Sequence, residues 1–161
     1  MIQLIRIDDR LLHGQVAYSW KSELNYNAIV IASDEAAADD VRKMAIKLCA
    51  PEGVKLAVRT VDAAAELLNN PKLEKMKVFV ICANPADVVR LTGMIKENPV
   101  INVGGMQKRD NTVNFSKAVF VSKSDLEALD ELLAEGYDIE VRQVPSYQPM
   151  AYENLRKKVE I

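Results

Sequence analysis

Cysteine is nearly absent from this chain. Cys49 and Cys82 are the only two in 161 residues, too few and too far apart for a disulfide framework or a zinc knuckle. Histidine is scarcer still: His13 stands alone, so no transition-metal site is expected. No long apolar run exists either. The longest, Val78–Ala83, falls far short of the roughly 20 residues a membrane-crossing helix needs. The N-terminus enters a strand at once, without the basic segment, apolar stretch and cleavage site of a secretory signal. Neither sign of charge dominates, since 21 Lys and Arg face 23 Asp and Glu for a net charge of −2. That balance gives no general attraction to nucleic acid or to an anionic membrane. The expectation is a cytoplasmic protein with no nucleic-acid partner. With 49% hydrophobic and 27% charged residues, residues 1–161 fit a single domain with a sizeable core.

Strand and helix signals alternate along this length. Met1–Ile7 reads as a first strand, and Val16 and Trp20 lie one helical turn apart just after it. Ala28–Ala32 is a short continuous apolar run, suited to a strand buried on both faces. Ser33 or Asp34 can cap the helix that follows, where Val41, Met44, Ala45 and Leu48 recur at the spacing of an amphipathic helix. Lys55–Arg59 is a third strand, and Thr60 or Asp62 opens a helix through Leu68. Val78–Ala83 reads as a central strand. Asn84-Pro85 then joins a cap to a first-turn proline, and the helix signal runs through Ile95 to Asn98-Pro99. Val100–Val103 leads into Gly104-Gly105. Thr112–Phe115 and Ala118–Val121 form a hairpin or two edge strands. Ser122 or Ser124 caps Asp125–Ala134, Gly136 ends it, and Ile139–Val144 is a last strand. The polar tail Pro149–Ile161 reads equally as a short helix or a partner contact. The pattern implies an α/β fold: a mainly parallel sheet, helices on both faces and a short antiparallel edge element.

The most informative stretch is Arg6–Gln15, the loop between the first strand and the first helix. Ligands bind at such strand-end loops in open α/β sheets. This one carries Arg6, Asp8, Asp9, Arg10 and His13. Imidazole is largely neutral and nucleophilic near neutral pH. Were it to attack a phosphoryl group, the free amides of the helix start and a guanidinium would hold the anion. Gly14 lets backbone approach without a Cβ, and Asp8 can orient Arg10 or set the imidazole tautomer. The residues alone leave a second reading open, of a histidine that caps, is solvated or is satisfied in the core.

Other candidates carry two readings each. Ser33, Asp34 and Glu35 either border the His13 pocket or cap a helix. Gly104 and Gly105 either present amides to an anion or make a tight turn. Asn84 suits a cap better than a ligand. Lys108 and Arg109 either dock an acidic partner or are simply solvated. Cys82, inside an apolar strand, is expected to be buried and unreactive, and Cys49 is no better placed.

Arg6-Ile-Asp8-x-Arg10-Leu-Leu-His13-Gly14-Gln15-Val16 resembles the active-site signature of the IIB component of the mannose/fructose/sorbose family of the bacterial phosphoenolpyruvate-dependent sugar phosphotransferase system. The likeness continues through Ser33-Asp34, Ala50-Pro51-Glu52-Gly53-Val54, Ile101–Met106 and Val144-Pro145. It implies a protein-N(pi)-phosphohistidine–sugar phosphotransferase without cofactor or metal. His13 would take phosphate on Nδ1 from a IIA component. A hexose-type sugar entering through the membrane components IIC and IID would receive it. Arg10 would stabilise the transferred group, Arg6 and Asp8 would shape the loop, and Gly14 and Gln15 would begin the helix that faces the phosphate. Ser33, Gly104 and Gly105 are the further binding candidates. The resemblance also implies peripheral association with the membrane permease components and leaves a homodimer open. Other sugar phosphotransferase B components phosphorylate a cysteine; here the chemistry falls to His13. Two rival readings are a non-catalytic regulatory or partner-binding domain of the same fold and a nucleotide-binding enzyme using Gly104-Gly105. The second lacks both G-x-G-x-x-G and a phosphate loop.

Overall fold

Seven strands of the chain build one sheet, and the order in which they pair decides where a ligand can sit. The computed structural model describes residues 1–161. Strand β1 (Ile2–Asp8) is followed by helix α1 (Gly14–Leu24) and β2 (Ala28–Ala32). Two short helices, α2 (Asp34–Ala37) and α3 (Asp40–Cys49), lead to β3 (Lys55–Arg59). Then come α4 (Val61–Leu68), β4 (Val78–Cys82), α5 (Pro85–Thr92) and β5 (Ile101–Gly105). The hairpin β6 (Val113–Ser116) and β7 (Val119–Val121) precedes α6 (Lys123–Ala134) and β8 (Ile139–Val141). A two-residue strand β9 (Met150–Ala151) and α7 (Tyr152–Arg156) finish the chain. The sheet order is β3-β2-β4-β1-β5-β8-β9, parallel throughout except for β9 on β8.

The expected mixed α/β architecture is what forms. β2 and β4 are buried at every residue, as continuous apolar runs require when helices cover both faces. One face packs α1, α2 and α3 over Leu4, Ile29, Ile31, Phe79 and Ile81. The other packs α4, α5, α6 and α7 over Ile5, Ile7, Val30, Val80 and Val103. The caps are resolved as well. Ser33 Oγ accepts from the Ala36 amide at 3.3 Å, and Thr60 Oγ1 from that of Ala63 at 3.2 Å. Asn84 Oδ1 accepts from the Asp87 amide at 2.9 Å, while Ser122 and Asp125 form a reciprocal capping box. Gly136 takes the left-handed conformation, φ 95°, that ends α6.

Two expectations are corrected. The helix after β2 is two helices, because Asp39 caps a second one by accepting from the Arg42 amide at 3.1 Å. α5 stops at Thr92, short of Ile95 and Asn98, where the Thr92 hydroxyl bonds back to Val89 O at 3.2 Å. Of the two readings of 112–121 the hairpin is the one that forms, not the two edge strands; it is a two-stranded sheet of its own, and β9 supplies the antiparallel edge of the main sheet. The tail is also tied down: Tyr152 is fully buried against Phe115, and its hydroxyl donates to Asp130 Oδ1 at 2.7 Å.

Helix α3 is set in an unexpected rotation. Val41, Met44 and Leu48, the residues that mark its periodicity, are 81%, 68% and 85% exposed, and Ile46 is its one buried residue. At the helix start Arg42 Nη2 donates to Asp9 O at 3.4 Å.

Candidate functional site

From β1 the chain crosses by α1 to β2, on one side of β1; from β5 it crosses by α6 to β8, on the other. β1 and β5 are neighbours, so the loops beyond their carboxyl ends diverge and leave a crevice. Such a switch point is where doubly wound sheets bind ligands. The crevice here is a cavity of about 370 Å³.

Arg6, Asp8, Arg10, His13, Gln15, Gly104 and Gly105 all border it. Gly14 opens α1 immediately after His13, with open space where a Cβ would stand. Ser33 is not brought there; it is fully buried and spends its hydroxyl as the α2 cap. The tight-turn and anion-nest readings of Gly104 and Gly105 are both corrected. The two glycines lie in strand β5 and neither has positive φ. Smallness matters at one of them. A Cβ on Gly104 would overlap the Arg6 guanidinium, whereas one on Gly105 would only come into contact with Asp8 at 3.4 Å.

Strand pleat explains the charged pair. Residues i and i+2 share a face, so Arg6 and Asp8 follow Leu4 on the side covered by α1. Both side chains are 1% exposed. Asp8 Oδ2 accepts from Arg6 Nη2 at 3.0 Å and Nε at 3.3 Å, while Oδ1 accepts from the Arg10 amide at 3.0 Å. Oδ2 also lies 3.2 Å from His13 Nε2. Burial opposes ionisation of Asp8, yet the His13 hydrogen bond, the Arg6 charge and the Arg10 amide outweigh it and hold the carboxyl below its ordinary range. A carboxylate can only accept. Nε2 therefore carries the hydrogen, and in the neutral ring the lone pair belongs to Nδ1, which bonds to nothing in the protein.

The loop is clamped around this pair. Leu11 adopts φ 57°, costly for a branched residue, and its fully buried side chain holds it there. Asp9, not singled out as a site residue by sequence, is the clasp. Its amide donates to Gly105 O at 3.0 Å, and its Oδ2 accepts from the Gln107 amide at 2.6 Å. His13 is the N-cap of α1, so the first amides of that helix stay free beside the imidazole. The Arg10 side chain is exposed and makes no bond within the protein. Lys108 also borders the cavity, whereas Arg109 is occupied by Asp125 at 2.6 Å. Gln107, Phe120 and Gln143 complete the wall; no local motif marks them. Cys82 is fully buried, and burial beside Asp87 pushes its thiol well up.

The molecule is thus a doubly wound parallel-sheet protein with a carboxylate-oriented histidine at the switch point. Comparison with known proteins makes this specific. A family model described as the IIB component of the sorbose subfamily of the PTS system matches residues 2–161. The mannose-specific EIIAB component of Escherichia coli K12 is 42% identical over 161 residues, covering 99% of this chain and 50% of that protein. The sorbose-specific EIIB component of Lacticaseibacillus casei is 40% identical over 146 residues, covering 89% and 88%. The crystal structure of the IIBSor domain of the Klebsiella pneumoniae sorbose permease superposes with a TM-score of 0.94 at 31% identity, covering 100% and 99%. The chain belongs to the sorbose/mannose family of phosphotransferase-system IIB components. It spans about half the length of the mannose-specific relatives it matches. No helix is long and apolar enough to cross a membrane.

Proposed function

We propose that residues 1–161 form one IIB domain that carries a phosphoryl group on His13. It takes the group from phospho-IIA and yields it to a hexose-type sugar at the membrane components IIC and IID. The observation that carries this reading is the 3.2 Å approach of Asp8 Oδ2 to His13 Nε2, which reserves Nδ1 for attack. The Nδ1 lone pair forms the new bond to phosphorus as the bond to the donor's ring nitrogen breaks. Each imidazole keeps the hydrogen on its other nitrogen, so no proton need move. Arg10 and the α1 amides receive the phosphoryl oxygens. In the second step a sugar hydroxyl oxygen attacks phosphorus, its proton is released, and the electron pair returns to Nδ1. Positioning and charge stabilisation carry both transfers. The domain works in the cytoplasm, peripherally associated with its permease; the fused EIIAB relative supports IIA as its donor.

The test is an intact mass after incubation with phosphoenolpyruvate, the general phosphotransferase proteins and IIA. One acid-labile phosphoryl group should appear, and none should appear in His13→Gln. No gain with charged IIA present would favour a regulatory domain of the same fold instead.

A further inference from the structure

An all-parallel sheet covered on both faces should be apolar along its middle, and this one departs from that rule in one row. Arg6 on β1 is in register with Asn102 on β5, and Asn102 with Glu140 on β8. The three side chains are joined on one face. Arg6 Nη1 donates to Asn102 Oδ1 at 3.0 Å, and Asn102 Nδ2 donates to Glu140 Oε2 at 3.2 Å and to Arg142 O at 3.1 Å. Arg142 Nε in turn donates to Glu140 Oε2 at 2.6 Å. Arg6 and Asn102 are 1% and 0% exposed.

Burying such groups costs several kcal/mol where apolar residues would serve, so the arrangement calls for a purpose. Four hydrogen bonds hold the Arg6 guanidinium. Asp8 takes Nε and Nη2, Asn102 and Gln143 O take Nη1, and the Trp20 ring lies 5.6 Å from Cζ. Trp20 belongs to α1, the helix whose N-cap is His13. Arg6 so fixed leaves Asp8 one geometry, in which the same Oδ2 meets both Arg6 and His13 Nε2.

We propose that Asn102 is a positioning residue for phosphoryl transfer: with Glu140 behind it, it holds Arg6 so that Asp8 keeps hydrogen on Nε2 and the lone pair on Nδ1 of His13. This rests on the reading of His13 as phosphoryl carrier. A residue that only stabilised the sheet would affect melting but leave the imidazole tautomer alone.

The experiment is Asn102→Ala, read by long-range ¹H–¹⁵N spectra of the His13 ring and by the rate of transfer from phospho-IIA. The wild type should show the Nε2–H tautomer. The folded variant should show a mixture of tautomers and transfer about tenfold to a hundredfold more slowly. A tautomer population and rate equal to those of the wild type would overturn the proposal. If Asn102→Ala does not fold, Asn102→Ser carries the test, keeping a polar side chain that is too short to reach Arg6 Nη1. A tautomer shift in it supports the proposal, and a wild-type spectrum refutes it. Because the spectra need no phosphate, a wild type that accepts none would defeat the carrier reading separately.

Discussion

Asp8 and Gly105 are register partners on neighbouring strands, and from that position in the sheet the carboxylate reaches His13 Nε2 at 3.2 Å. Packing in the sheet and orientation of the imidazole are therefore one problem. Asp8→Asn tests the link. The amide keeps the volume but brings no charge to Arg6, which is almost wholly buried. Stability should fall by about 3 kcal/mol, the scale for a broken buried pair. Phosphoryl transfer should fall about a hundredfold, because the asparagine can present either a donor or an acceptor to Nε2. Urea unfolding and a transfer assay measure the two effects independently.

The same carboxylate sets a pH dependence with a definite sign. Its pKa is lowered in the folded protein, so it binds protons less readily there than in the unfolded chain. Its stabilisation is fully present above the ordinary aspartate value of about 3.9. It is lost as pH falls through the lowered folded value. Wild type and Asp8→Asn should thus differ most in urea midpoint above the ordinary aspartate range and converge as the pH is lowered below it. A gap that widened on acidification would contradict the assignment.

Gly104→Ala and Gly105→Ala should separate cleanly. The first places a methyl on the Arg6 guanidinium, whose four hydrogen bonds resist displacement. The second meets Asp8 at 3.4 Å and beyond, ordinary van der Waals contact that asks little of its neighbours. Gly104→Ala should cost about 1–3 kcal/mol of overpacking and slow transfer severely, and Gly105→Ala should do neither to the same degree. Thermal melts with transfer rates decide it; equal effects would show that the Gly104 contact is easily relieved.

Arg10→Ala should behave differently from all of these. Its guanidinium is exposed and unbonded, so stability should stay within about 0.5 kcal/mol of the wild type. Transfer should slow by roughly the value of a charged hydrogen bond, about 1.5–3 kcal/mol or tenfold and more. An unchanged rate would remove Arg10 from the phosphate site.

What the sequence discloses follows the range of the interactions. The β1 loop and the start of α1 are legible because strand period, cap and histidine lie within a few residues of each other. The caps at Ser33, Thr60, Asn84 and Ser122 are local for the same reason. The strand order is not, and with it goes the contact of Arg6 with Asn102, 96 residues away. Gly104-Gly105 reads as a turn or an anion nest until the strand opposite is known. Ser33 lies after a strand, as ligands often do, yet its hydroxyl is taken by its own helix.

Helix α3 is where local pattern and tertiary outcome part, and it yields the last prediction. The periodicity of Val41, Met44 and Leu48 identifies a helix, but that stripe faces solvent and Ile46, 4% exposed, is the anchor. Burial and not pattern should govern the energetics. Ile46→Ala removes packed methyl groups from the cluster over Ile29 and Ile31 and should cost about 2 kcal/mol or more. Leu48→Gln changes an 85% exposed residue to one of similar helix propensity and should stay within about 0.5 kcal/mol. Paired urea titrations give both numbers. A Leu48→Gln loss rivalling that of Ile46→Ala would mean that the stripe, and not Ile46 alone, anchors the helix.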